Sequence, residues 1–165
     1  MKTMIAAGIL ALLAASAGVV PARATASTTG GASGGQELGL GIILGQPIGG
    51  TAKLWLDDHL AVDAGIGLDD GNVGFWGDIL WHDWTLLPQP SRGRLGLYLG
   101  TGPQLRTGDD ERFGVRAIGG ISYRPAGHPL ELYAEAGPLF ELTQGGWVDA
   151  VGGVGLRVMI GGARR

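Results

Sequence analysis

The stretch "PLELYAEAGPLFEL", residues 129 to 142, alternates apolar and other residues almost without a break. Leu130, Leu132, Ala134, Ala136, Phe140 and Leu142 share one side, and Glu131, Tyr133, Glu135 and Glu141 share the other. Successive side chains of a strand point to opposite faces, so this period predicts β-structure. The pattern recurs along the chain and predicts eight strands, over about 37–46, 50–57, 59–69, 72–83, 93–107, 111–124, 129–143 and 147–160. Turn residues separate them in "QPIGG", "DDH", "DDGN", "RTGDDE", "PAGHP" and "TQGG", while "DWTLLPQPSRG" alone makes a longer connection.

Two registers run through all eight segments. One is apolar: Leu38 to Leu44 on the first strand, Val62, Ile66 and Leu68 on the third, Phe75, Ile79 and Trp81 on the fourth, Val154 to Ile160 on the last. No charged residue falls on it. The other register carries Lys53, Asp63, Asp78, His82, Arg106, Arg112, Arg116, Arg124, Glu131, Glu135, Glu141, Asp149 and Arg157, with glycines between them.

Which register faces inward decides the class. An eight-stranded interior holds limited side-chain volume, too little for a continuous Leu/Val/Ile set. Glycine also weakens an exposed strand and gains nothing on a solvated face. Turned the other way, both features fit: lipid accepts the aliphatic band, and a narrow lumen takes glycines between charged groups. Phe113 and Tyr123 lie on the apolar register ten residues apart. At about 3.3 Å per residue and a tilt near 40° that is about 25 Å along the axis, the height of a lipid-facing band between aromatic girdles. Pro103 and Pro138 fall on the same register and each removes a ladder donor, which predicts a bulge or a later strand start.

Composition agrees. Charged residues are 16% of the chain, against about 25% in soluble domains, and there are 33 glycines in 165 residues. After the first 24 residues no apolar run reaches the roughly 20 positions of a membrane helix. Those first 24 read as an export leader: Lys2, the apolar run from Met4 to Val20, then "PARA" with small residues at Ala22 and Ala24. Residues 25–36 are Gly/Ser-rich and read as a flexible lead-in; residues 161–165 form a short tail. Without the leader the net charge is near −5, which argues against a nucleic-acid partner. The absence of cysteine excludes a disulfide framework and a thiolate metal site.

The opening "LGLGIILGQPIGGTAKLWL", then "GDILWHDW", "RFGVRAIGGISYRP" and "PLELYAEAGPLFEL", together resemble a group of small, largely uncharacterised bacterial outer-membrane β-barrel proteins. The resemblance covers roughly residues 37 to 160. It implies an all-β, eight-stranded antiparallel up-and-down transmembrane barrel and brings no activity or functional residues with it. The chain departs from the usual aromatic last residue of such barrels, ending its eighth strand on Ile160.

With the charged register inside, acids and bases are expected to pair, because a buried charge without a partner is costly. The hairpin at "PAGHP" predicts Arg124 close to Glu131. Catalysis is not expected: His82 and Asp78 share a register, Asp83 points away, and no spacing ties Ser122 to His82. No metal or cofactor is expected, since His59, His82 and His128 lack chelating spacing. Expected partners are outer-membrane lipid, lipopolysaccharide and the barrel-insertion machinery, for a chain acting as a monomer in the outer membrane of a Gram-negative-type bacterium. The alternative is a soluble periplasmic or secreted barrel enclosing a small apolar ligand.

Overall fold

Eight strands form among the described residues: β1 (Glu37–Gln46), β2 (Ile48–Trp55), β3 (Leu60–Asp69), β4 (Asn72–Asp83), β5 (Arg94–Thr107), β6 (Arg112–Arg124), β7 (Leu130–Glu141) and β8 (Val148–Gly161). The computed structural model describes residues 37–69, 71–108, 111–143 and 146–161. The expected leader (1–24), the lead-in (25–36) and residues 162–165 of the tail lie outside the described residues.

Each strand pairs antiparallel with the next, and β8 pairs back on β1 from Glu37↔Gly161 to Gln46↔Gly152, closing the barrel. Closure leaves no edge strand with unpaired backbone groups. Followed from Gln46 through Gly152, Ala136, Gly119, Leu99, Trp81 and Leu60, the ladder descends and returns to β1 about ten residues from its start. Ten residues at about 3.3 Å against eight strand spacings of about 4.8 Å give a tilt near 40°, inside the range of closed barrels.

The prolines are accommodated without the expected bulge or late start. Gln104 pairs Trp76 and Thr101 pairs Ile79 in one unbroken register, with the ladder interrupted only around Pro103. Pro138 does the same between Arg116↔Leu139 and Gly119↔Ala136. Each proline thus costs local hydrogen bonds and leaves the side-chain alternation intact. β2 starts two residues earlier than its turn chemistry predicts, because Ile48 continues the ladder opposite Leu68 of β3.

The alternation sorts the two registers as the inverted reading requires. Ile42, Ile66, Ile79 and Val154 are each more than half exposed, whereas Lys53 and Glu131 are wholly enclosed. The ends of β1, β3, β5 and β7 at Gln46, Asp69, Thr107 and Glu141 lie at the end of the barrel away from Glu37 and Gly161. The turns at 56–59 and 125–129 and the long 84–93 connection lie at the end that holds Glu37 and Gly161, called the terminal end.

Candidate functional site: the barrel interior

The interior is built around Arg157 on β8. Its Nη2 pairs with Asp63 of β3, its Nε donates to Thr51 Oγ1 at 3.0 Å, and its Nη1 lies 3.8 Å from Glu131 Oε2. The guanidinium sits 3.7 Å over the Tyr133 ring. Glycines make the room: a Cβ on Gly41 would stand 2.7 Å from the Arg157 side chain, and one on Gly155 would stand 2.2 Å from the Tyr133 ring. Beside this hub, Lys53 Nζ donates to Glu131 Oε1 at 2.6 Å and reaches His82 Nε2 at 2.9 Å. Lysine has no acceptor, so Nε2 accepts and His82 is held as neutral imidazole. Further along the axis, Arg116 Nη2 lies 2.9 Å from Asp78 and 2.8 Å from Glu135, which also accepts from the Tyr98 hydroxyl at 2.8 Å. Three cations (Lys53, Arg116, Arg157) thus face four carboxylates (Asp63, Asp78, Glu131, Glu135), all at most 6% exposed. Near-balance is what enclosure in a poorly solvated space demands.

Aromatic rings cover this network toward the terminal end. The His82 ring lies 4.4 Å from Trp55, 4.9 Å from Tyr98 and 5.8 Å from Trp84, and the Lys53 ammonium stands 4.3 Å from Trp55. Trp84 comes from the long 84–93 connection and is almost fully enclosed, packed where a Cβ on Gly96 would be, 2.6 Å from its ring. Its Nε1 donates to the Asp58 carbonyl at 2.9 Å. Gln89 ties the connection down, donating to the carbonyls of Trp84 and Leu95 and accepting from the Leu95 N–H. In the neighbouring turn the Asp57 carboxylate accepts the N–H groups of His59 and Leu60, both at 2.7 Å, and these bonds hold its pKa below the usual carboxylate range.

The remaining residues of the charged register lie nearer the rims. Arg112 pairs with Glu141 at 3.4 Å and is about a third exposed; Arg106 is buried nearby. Asp149 stands outside the network: it is exposed and its carboxylate accepts the Ala150 N–H at 2.8 Å. Arg124 does not pair with Glu131. It reaches Glu37 of β1 at 2.5 Å, while Glu131 turns to Lys53 and Arg157. The stagger of the closed barrel carries side chains sideways, so hairpin proximity on β6 and β7 does not choose the partner. His82 faces Lys53, Asp78 faces Arg116, and the enclosed Ser122 hydroxyl makes no hydrogen bond to either.

Sequence reasoning put Tyr98 and Tyr133 on the charged side without giving them partners, and it passed over Glu37, Thr51 and Trp84. Glu37 and Thr51 lie in strands, on the inward side, and a reading of that side for all its polar members finds them. Trp84 follows β4 directly and continues its alternation in an aromatic run, "WHDW". Inward apolar residues were also missed, among them Ala61, Leu80, Ile118 and Met159, which pack with Trp55, Trp84 and Tyr98. Crowding of this kind predicts that Gly65→Val, whose Cβ would stand 2.0 Å from the Trp76 ring, destabilises the barrel by about 1–3 kcal/mol in urea unfolding.

The closed barrel is similar in fold to the N-terminal β-barrel domain of Pseudomonas aeruginosa OprF, seen in a crystal structure. The TM-score is 0.54 and the identity 17%, over 77% of this chain and 98% of that one. No protein-family model matches the chain, and no curated protein matches it.

Proposed function

We propose that this chain is an integral outer-membrane barrel of a Gram-negative-type envelope, with a structural rather than catalytic role and a lumen closed by its own ion pairs. One observation carries the reading: the aliphatic register is exposed over the full girth of the barrel while the charged register is enclosed except at its rims, at Arg112, Arg124 and Asp149. In water that arrangement would expose Leu, Ile and Val on every strand; in a bilayer it is the low-energy one. The soluble alternative requires an apolar interior for its ligand, and here Lys53, Asp63, Glu131 and Arg157 occupy that space. Ring closure satisfies each strand edge within a single chain, which supports a monomer. Lipid, lipopolysaccharide at the distal turns and the insertion machinery are the partners this reading brings.

Restricted passage of water or small ions is a second reading, favoured by enclosed polar atoms with no protein partner: both amide atoms of Gln104, Ser122 Oγ and the Trp76 indole N–H. Such groups call for water inside the barrel.

The test is fractionation of the exported protein followed by gel mobility with and without boiling. Recovery in the outer membrane with a heat-shifted band is the expected result. Recovery in the soluble periplasm overturns the reading. Planar-bilayer recording then separates the two lumen states, with brief small openings at most expected for the closed one.

A further inference from the structure

The long connection at the terminal end is fastened by side chains along its whole length. At its entry the Asp83 carboxylate accepts the Thr85 N–H and hydroxyl, both at 2.7 Å, and the Leu86 N–H at 3.2 Å. In its middle the Gln89 amide donates to the carbonyls of Trp84, Leu87 and Leu95. At its exit the Tyr123 hydroxyl donates to the Arg92 carbonyl at 2.5 Å. Gly93 turns there with a φ of 132°, and a Cβ on it would stand 2.6 Å from the Arg124 carbonyl oxygen. Joining two neighbouring strands requires none of this, since a short turn suffices.

What the strap carries is the Trp84 ring. It points inward, 5.9 Å from Trp55 and 5.8 Å from His82, with the Arg94 guanidinium of the mouth 4.7 Å over it. The ring packs on Gly96, and Gly96 pairs with Ser122 across the ladder, so Trp84 covers Ser122. Ser122 Oγ, Trp55 Nε1 and His82 Nδ1 are all enclosed without a protein partner. Atoms of this kind are met by water, and Trp84 stands between them and the mouth. The strap also differs from the ion pairs in how it can move. Residues 84–93 belong to no strand, so Trp84 can swing out with the ladder intact, whereas Arg157, Asp63 and Glu131 are fixed on strands.

We propose that Trp84 is a stopper, held by the 84–93 strap, that shuts the polar interior off from the terminal mouth, and that release of the strap admits water and small solutes. The inference deepens the closed-lumen reading and rests on it. It adds a barrier in series with the ion pairs and assigns the movable part.

The chain has no cysteine, so Ser122→Cys gives a single reporter behind the ring. The full chain is folded into phosphatidylcholine vesicles, and heat-modifiable mobility is checked for every variant. Mild detergent then exposes both mouths to a small, water-soluble methanethiosulfonate reagent. Slow labelling of the reporter alone is expected. Adding Trp84→Ala should speed it about tenfold or more, because reaction at an enclosed group tracks the open population. Trp84→Phe should stay slow. Gln89→Ala, which loosens the strap and leaves the ring in place, should speed labelling about threefold. Trp76→Ala removes an equally enclosed ring about 26 Å further along β4 and should leave the rate unchanged. Fast labelling with Trp84 present overturns the stopper, as does a Trp84→Ala rate equal to the reporter's. Equal acceleration by Trp76→Ala also overturns it, since general loosening then explains the rate. A Gln89→Ala rate equal to the reporter's overturns the strap's part. Failure to enter vesicles overturns the membrane reading, while labelling of the folded protein in detergent decides the stopper by itself.

Discussion

Arg157→Met should lower the stability of the folded barrel by about 3–5 kcal/mol, the usual cost of removing one partner from an enclosed ion pair. Arg157 is 1% exposed and meets Asp63, Glu131, Thr51 and the Tyr133 ring. Methionine fills much of its volume but leaves the Asp63 carboxylate enclosed without its ion-pair partner. Glu131 keeps Lys53 at 2.6 Å, so the loss concentrates on Asp63. The double variant Arg157→Met, Asp63→Asn should therefore recover a large part of the loss, because the stranded charge is gone. Arg112→Gln, at a rim pair of 3.4 Å that water reaches, should cost no more than about 1 kcal/mol. Urea unfolding in lipid, followed by tryptophan fluorescence, measures all three. Equal losses in Arg157→Met and Arg112→Gln would mean that the interior is as well solvated as the rim.

These contrasts mark what the amino-acid pattern discloses and what it hides. Strand number, sequence bounds to within two residues, and the assignment of each residue to a face are local properties, written in the period-two alternation. Which charges touch is not local. Lys53 and Glu131 are 78 positions apart, and Arg157 and Asp63 are 94 apart. Those pairs exist because β8 closes on β1 with a stagger of about ten residues, and the stagger depends on every turn at once. The expected Arg124–Glu131 pair failed for that reason. Trp84 was hidden by a different cause: it keeps the inward phase of β4 but lies one residue past the strand, in the long connection, and only Gly96 marks the space it enters.

Val154→Arg is expected to cost about 2–4 kcal/mol, the penalty for a cation on the lipid face near the bilayer centre. Val154 is midway along β8, 57% exposed, and flanked outward by Leu44 of β1 and Ala134 of β7. The enclosed Val151, three residues away on the other face, offers the control that separates lipid exposure from packing. Val154→Leu should be nearly neutral because lipid adapts to an added methylene, whereas Val151→Phe meets a filled interior and should cost about 1–3 kcal/mol. The arginine penalty must also depend on the solvent around the barrel. In short-chain detergent micelles, where the side chain reaches water easily, it should shrink well below its bilayer value. A soluble barrel has no such dependence, since an exposed valine replaced by arginine would leave stability nearly unchanged in any medium. Unfolding titrations of Val154→Arg in bilayers and in detergent therefore read directly which medium the aliphatic face was built for.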